Sequence, residues 1–314
     1  MYFETAGIHV HPLLPPLIAF VISFFTSMGG VSGAFLILPF QVSFLGYTNP
    51  SVSATNQLFN VVAIPSGIYR YYKEGRMVWP LAWVVIAGTL PGVLIGALIR
   101  IFYLPDPRNF KLFAAAVLLY IGIKMVRDLV SPPRGNLSKE SSEKRFQELV
   151  RQQRTKGEGN QPRPIQVQQF DFKRLRYSFY GEAFDVSFGG IFALSLVVGV
   201  VGGIYGIGGG AIMAPFFVSY FGLPVYTVAG AALMGTLVTS VAGVAFYQGL
   251  AWLFPQMATG PDWFLGMLFG LGGMAGMYCG ARCQKYVPAK NIKWMLAIII
   301  TFTAIKYVLE FFTR

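Results

Sequence analysis

The chain reads as an all-α polytopic membrane protein built from two related halves, and three observations carry that reading. Of its 314 residues 54% are hydrophobic and only 12% charged, about half the charged fraction of an ordinary soluble domain. Charge-free stretches of roughly 20 residues recur along it, each long enough at about 1.5 Å per residue to cross a ~30 Å hydrocarbon layer. A glycine-rich segment near the start of the chain is repeated beyond its middle.

The apolar segments run at 13–46, 51–70, 78–99, 109–127, 186–222, 224–250, 263–283 and 292–312. The repeat lies in the first and fifth. GVSGAFLILPFQVSFLG (30–46) aligns without gaps on GIGGGAIMAPFFVSYFG (206–222). Gly30, Gly33, Pro39, Phe40, Val42, Ser43 and Gly46 fall on Gly206, Gly209, Pro215, Phe216, Val218, Ser219 and Gly222. Further on, Gly75 falls on Gly249, Gly92 and Gly96 on Gly276 and Gly280, and Ile123-Lys124 on Ile305-Lys306. The duplication divides the chain into a first transmembrane repeat (1–130), a basic linker (131–185) and a second transmembrane repeat (186–314). The start of the linker suggests a charged helix from Ser138 to about Thr155. Its later alternation (Ile165, Val167; Phe170, Phe172; Tyr177, Phe179) suggests a two-stranded ribbon. A disordered basic linker is the competing reading.

The first segment of each half is too long for one span and is broken by glycines. It is either one broken span or a re-entrant hairpin whose two arms, 14–28 and 32–46 in the first half, each fall short of a crossing. Charge favours the hairpin. With hairpins, one side collects Arg70, Lys73, Arg76, the linker, Arg282, Lys285, Lys290 and Lys293. The other side holds an N-terminus and a loop (251–262) without Lys or Arg, together with Arg100, Arg108 and Arg314. Basic loops stay cytoplasmic, so the linker is expected in the cytoplasm and both termini outside, in the cell inner (plasma) membrane. A hairpin plus three spans per half makes the second repeat inverted relative to the first, a transporter plan.

The net charge of +12 would suggest nucleic acid in a soluble protein. Here the basic residues sit in loops between spans, so no nucleic-acid partner is expected. Cys279 and Cys283 lie in an apolar span and make no disulfide framework. No Lys or Arg precedes the first apolar run, which argues against a cleaved signal peptide. Lys124, Lys306, Asp262 and Glu310 lie near span ends, where the lysines can snorkel. No span carries a central carboxylate. Neither a proton relay, a metal set, a cofactor nor an enzyme's catalytic constellation is expected.

The breaks themselves are the candidate site. Glycines permit the turn, and irregular backbone at membrane depth survives only when buried in protein or lining a wet cavity. The second arms would begin near Ala34 and Ala211, with free N–H groups and the positive ends of helix dipoles pointing inward. Two such ends suit a small anion without a basic side chain. The same glycines would also serve close helix packing. Asn56 and Asn60 share a helix face, with Thr55 and Gln57 beside them, and Thr236 and Ser240 repeat the spacing around Thr239. Asn56 and Thr236 sit nearer mid-span, while Asn60 and Ser240 read equally as interhelical hydrogen-bonding residues. The expected substrate-binding set is therefore Ser32, Gly33, Ala34, Asn56, Gln57, Gly208, Gly209, Gly210, Ala211 and Thr236.

At these breaks the chain resembles the sulfite exporter TauE/SafE family of membrane permeases. GIYGIGGGAIMAPFFVSYFGLP (203–224) carries the resemblance most strongly, and MGGVSGAFLILPF (28–40) repeats it with Ser32 in place of a glycine. The plan of two halves matches over nearly the whole chain except 131–185, which is long for the family. The resemblance implies a secondary transporter of sulfite or another small sulfur-containing anion, often an exporter. A passive anion channel and a non-transporting scaffold or sensor are the rivals, and a homo-oligomer is left open.

Overall fold

The computed structural model describes residues 1–28, 31–130, 148, 165–210 and 212–313. Strands β1 (Tyr2–Phe3) and β2 (Ile8–His9) pair ahead of α1 (Leu14–Met28), α2 (Ala34–Ser43), α3 (Ser51–Lys73), α4 (Trp79–Phe102) and α5 (Pro107–Val130). Strands β3 (Ile165–Phe170), β4 (Arg174–Phe179) and β5 (Glu182–Ser187) follow. The second half is α6 (Phe188–Tyr205), α7 (Met213–Tyr220), α8 (Val225–Leu253), α9 (Trp263–Cys283) and α10 (Ala289–Thr313). Both expected breaks are present, between α1 and α2 and between α6 and α7. Apart from Glu148, the helix expected from Ser138 to Thr155 lies outside the described residues.

Among the described residues, four helices are long and apolar enough to cross a membrane: α4, α6, α8 and α9. Their outer faces show Trp83, Ile95, Val197, Val241 and Leu271 to the surroundings, as a bilayer solvent requires. The third helix is less apolar because its polar side chains point inward. Ser53, Thr55, Asn56, Gln57 and Asn60 are all fully buried.

Glycines let backbones meet. Gly88, Gly92 and Gly96 of α4 lie on α6, where a Cβ at Gly92 would stand 2.5 Å from the Leu196 carbonyl oxygen and 2.8 Å from Val200 N. Gly272, Gly276 and Gly280 of α9 lie in the same way on Pro16, Phe20 and Phe24 of α1. Small residues at such seams gain van der Waals contact where lipid supplies no hydrophobic drive. In both seams the partner's residue numbers rise together, so α4 runs parallel to α6 and α9 parallel to α1. By contrast, α3 and α8 cross antiparallel. Gln57 meets Gly243, Asn60 meets Ser240, Gly67 meets Leu233 and Tyr71 meets Gly230.

Exchanging the two halves leaves these pairings unchanged: α4 on α6 becomes α9 on α1, α3 on α9 becomes α8 on α4, and α5 packs on α10. Even single contacts follow. Lys124 of α5 covers the Tyr220 ring of α7, and Lys306 of α10 covers the Phe44 ring just after α2. Both lysines, expected to snorkel, therefore hold their ammonium groups on aromatic faces.

Two ends of the bundle can be told apart. At one, Asn49 donates to the Thr5 carbonyl (3.1 Å), Ala6 N to Asp262 (3.3 Å) and Asp262 N to Thr55 (2.8 Å). The segment before α1 and the start of α3 thus share an end. At the other, Tyr177 of β4 meets Thr227 of α8 (3.0 Å), and Arg76 donates to Gln284 (2.6 Å). Gly190, at the start of α6, lies against Phe221, just past α7.

The linker's later part is a three-stranded antiparallel sheet in the order β3-β4-β5, not the two-stranded ribbon read from the sequence. Its β4 side chains Leu175, Tyr177 and Phe179 are fully buried. The third strand escaped notice because its hairpin turns through Tyr180 (φ 48) and Gly181 (φ 89). Two positive φ values mark a tight hairpin turn, but Tyr-Gly is not the Asn-Gly or Asp-Gly signal that announces one. In the β3–β4 turn, backbone N–H groups of Arg174 and Lys173 hold the Asp171 carboxyl below its usual range.

Arg76 and Arg100, counted above as loop charges, are both fully buried.

Candidate functional site at the crossing breaks

The second break follows from its glycines. α6 stops where Gly206 turns left-handed (φ 78), and Gly206 N and Ile207 N both return to the Gly202 carbonyl (2.9 and 3.0 Å). That is a glycine-terminated helix end. Gly208 is left-handed as well (φ 77) and packs against Ser240 and Thr236. Gly209 lies on Thr89 of α4, and Gly210 on the Ala232 carbonyl and Thr236 N of α8. At the first break, Ser32 Oγ accepts from Ala34 N (3.2 Å) at the start of α2, and Gly33 lies on Ser23 and Phe59.

Both first arms are anchored alike. Tyr71 of α3 donates to the Ser27 carbonyl (2.9 Å), and Tyr247 of α8 to the Gly203 carbonyl (3.4 Å). Ser27 and Gly203 hold the same place in the repeat, three residues before Gly30 and Gly206.

Two asparagines of α3 tie the breaks to each other. Asn56 Nδ2 donates to the Ala34 carbonyl of the first (3.0 Å) and the Gly206 carbonyl of the second (3.2 Å). Asn60 Nδ2 donates to the Ile207 carbonyl (2.9 Å) and Ser240 Oγ (3.1 Å), while its Oδ1 accepts from Ser32 Oγ. Every side chain named here is fully buried. Polar satisfaction is nevertheless incomplete, because Asn56 Oδ1 and both polar atoms of the Gln57 amide have no partner. Each such group costs about 1–3 kcal/mol when left dry, so this junction holds unused hydrogen-bonding capacity.

Of the expected site residues, Ser32, Gly33, Ala34, Asn56, Gly208, Gly209, Gly210 and Thr236 come together here, and Gln57 faces Gly243 beside them. Ala211, Gly29 and Gly30 lie outside the described residues. Ala34 N, expected to be free, is engaged by Ser32, and Gly209 N, ahead of α7, by Thr239 Oγ1 (2.9 Å). A hydroxyl holds each, so either could be released by one rotamer change. Asn60 and Ser240, weighed above as interhelical hydrogen-bonding residues, bond to each other across α3 and α8 and stand at the centre of the junction. Thr239 was named only as a neighbour and Thr89 not at all, and no local signal marks Thr89 because its partner Gly209 is far along the chain.

The junction consists of amides, hydroxyls and backbone dipoles. No group of three or more His, Cys, Asp or Glu among the described residues could hold a metal ion. Such a lining suits a small polar solute whose charge is met by dipoles.

The family model for the sulfite exporters TauE/SafE matches residues 16–307, both breaks included. The chain belongs to the TauE/SafE family. As a TauE/SafE protein it is a multi-pass membrane transporter of the sulfite-exporter kind, and the buried polar junction lies within the matched region. Comparison with curated proteins and with solved structures finds no match.

Proposed function

We propose that this TauE/SafE protein is a secondary carrier that exports sulfite or a related sulfur oxyanion or organosulfonate across the cell inner membrane. The observation that carries the reading is the Asn56–Asn60 clamp. One helix face hydrogen-bonds both breaks at once, so a solute there touches both halves. The repeats, 1–130 and 186–314, are inverted. Each is a re-entrant hairpin plus three spans, joined by the cytoplasmic linker 131–185. The antiparallel crossing of α3 and α8 supports inversion, and the shared end of Thr5 and Asn49 supports the hairpin. Alternating access follows when one half rocks on the other around the clamp. The second arms, α2 and α7, supply backbone N–H groups and positive dipole ends once Ser32 and Thr239 turn away.

The test is flux in proteoliposomes. Sulfite uptake should saturate, exchange with labelled sulfite inside, and exceed chloride uptake. Gly209→Leu, whose side chain would occupy the space of Thr89, should carry no flux. Unselective chloride leakage would instead identify a channel.

Orientation is tested separately, with Cys279 and Cys283 replaced by serine. Tyr103→Cys should react with an impermeant thiol reagent from outside and Phe172→Cys only after the membrane is opened. Both positions are well exposed (79% and 88%). The reverse pattern would overturn the assigned orientation.

A further inference from the structure

The two buried arginines are partnered very differently. Arg76 pairs with Glu74 (2.5 Å) and donates to Gln284 (2.6 Å). Arg100 donates through Nη1 to the Leu104 carbonyl, and its guanidinium lies 4.0 Å from the centre of the Phe110 ring. Its Nε and Nη2 have no partner, and no carboxylate of the described residues pairs with it. An uncompensated buried cation costs several kcal/mol, so a counter-charge from solution would be strongly favoured there.

Its position is set by the seam between α4 and α6. Gly88, Gly92 and Gly96 step along α6 past Ser195, Val200 and Ile204. One turn further, Arg100 comes level with the second break. Its repeat equivalent makes the same approach at the first. Gly96 falls on Gly280, so Arg100 falls on Gln284, and Gln284 Nε2 donates to the Met28 carbonyl at the end of α1 (2.6 Å). The Phe110 ring that Arg100 covers also meets the Tyr205 ring at the end of α6 (centroids 6.3 Å apart).

We propose that Arg100, through its unpartnered Nε and Nη2, is an outer anion station, neutralised by the transported oxyanion as it passes between the asparagine clamp and the outer face. The inference rests on the carrier reading. A guanidinium fork matches two oxygens of one sulfite or sulfonate group, so the station favours oxyanions over halides. The competing role is structural, a cation facing the carbonyl end of α6, and it predicts no dependence on substrate.

The experiment uses the full chain, with gluconate replacing chloride and sodium sulfite as the probe. Thermal unfolding in detergent reports binding, and proteoliposome flux reports KM and maximal rate. Arg100→Gln should raise the sulfite KM roughly 10- to 100-fold, the loss expected for a charge-assisted hydrogen-bonding pair. It should also remove most of the sulfite-dependent rise in Tm, and change the maximal rate by at most about threefold. Arg100→Lys, which keeps the charge without the fork, should fall between. An unchanged KM and Tm response in Arg100→Gln overturns the station, and if wild-type flux persists the carrier reading stands. An Arg100-dependent Tm response without wild-type flux supports the station and overturns the carrier. If Arg100→Gln does not fold, Arg100→Lys decides, and a normal KM and Tm response in it overturns the station. No Tm response in the wild type overturns it too.

Discussion

Gly206→Ala is expected to abolish transport and to destabilise the protein by about 2–5 kcal/mol, read as a fall in Tm in detergent. Two costs add. Gly206 is left-handed (φ 78), which costs an L-residue about 1–2 kcal/mol. Its Cβ would also stand 2.5 Å from Ser53 Cβ and 2.7 Å from the Ser53 carbonyl oxygen, and overpacking of this kind costs about 1–3 kcal/mol. The displacement would pull the Gly206 carbonyl off Asn56 and open the clamp. Gly46→Ala is the control. Gly46 is left-handed to the same degree (φ 71), yet nothing lies within 4 Å of its added Cβ. It should lose about 1–2 kcal/mol and keep its flux. Equal behaviour of the two variants would mean that space at the second break is not limiting.

This contrast also shows what the sequence could and could not reveal. Gly46 and Gly222 repeat in register, as do Gly206 and Gly30, and all look alike in a string of letters. Repetition locates the breaks because a duplicated unit keeps its turn residues. It cannot say which glycine is hemmed in, because the crowding group is Ser53, on another helix and far back in the chain. The glycine seams were legible in part for the same reason. Gly92, Gly96, Gly276 and Gly280 align between halves, but their partners on α6 and α1 do not show in local spacing.

Charge was the poorer guide. Arg76 and Arg100 read as loop residues because each lies at the edge of an apolar run, and counting them for topology is sound when they face head groups. Burial is a tertiary property. α4 carries Arg100 one turn beyond Gly96, where its guanidinium covers the Phe110 ring. Likewise, nothing in the sequence singles out Tyr71 and Tyr247. Only the folded chain shows that each donates to the carbonyl three residues ahead of a break. The asparagine clamp was half visible. The spacing of Asn56 and Asn60 put both on one face, but that both reach the second half depends on where α3 crosses α8.

That crossing makes Asn60 the sharpest test of what moves through the junction. Asn60→Asp changes one atom type without changing volume. The Nδ2 that donates to the Ile207 carbonyl and to Ser240 becomes an oxygen that can only accept while ionised, and a negative charge enters the junction. At about 4 Å and an effective permittivity of about 20, that charge repels a monovalent anion by about 4 kcal/mol, or roughly 1000-fold in affinity. Sulfite flux should therefore vanish in Asn60→Asp. In Asn60→Ala, which removes the donors without adding charge, it should fall only about tenfold, the loss of one to two neutral hydrogen bonds. Flux per folded protein is the quantity to measure, with Tm confirming that both variants assemble. Sulfite flux surviving in Asn60→Asp would place the anion path away from the two breaks. A variant that loses sulfite but gains sodium flux would fix both the path and the sign of its field, since the same dipoles that welcome an anion must be overcome by one carboxylate before a cation can pass.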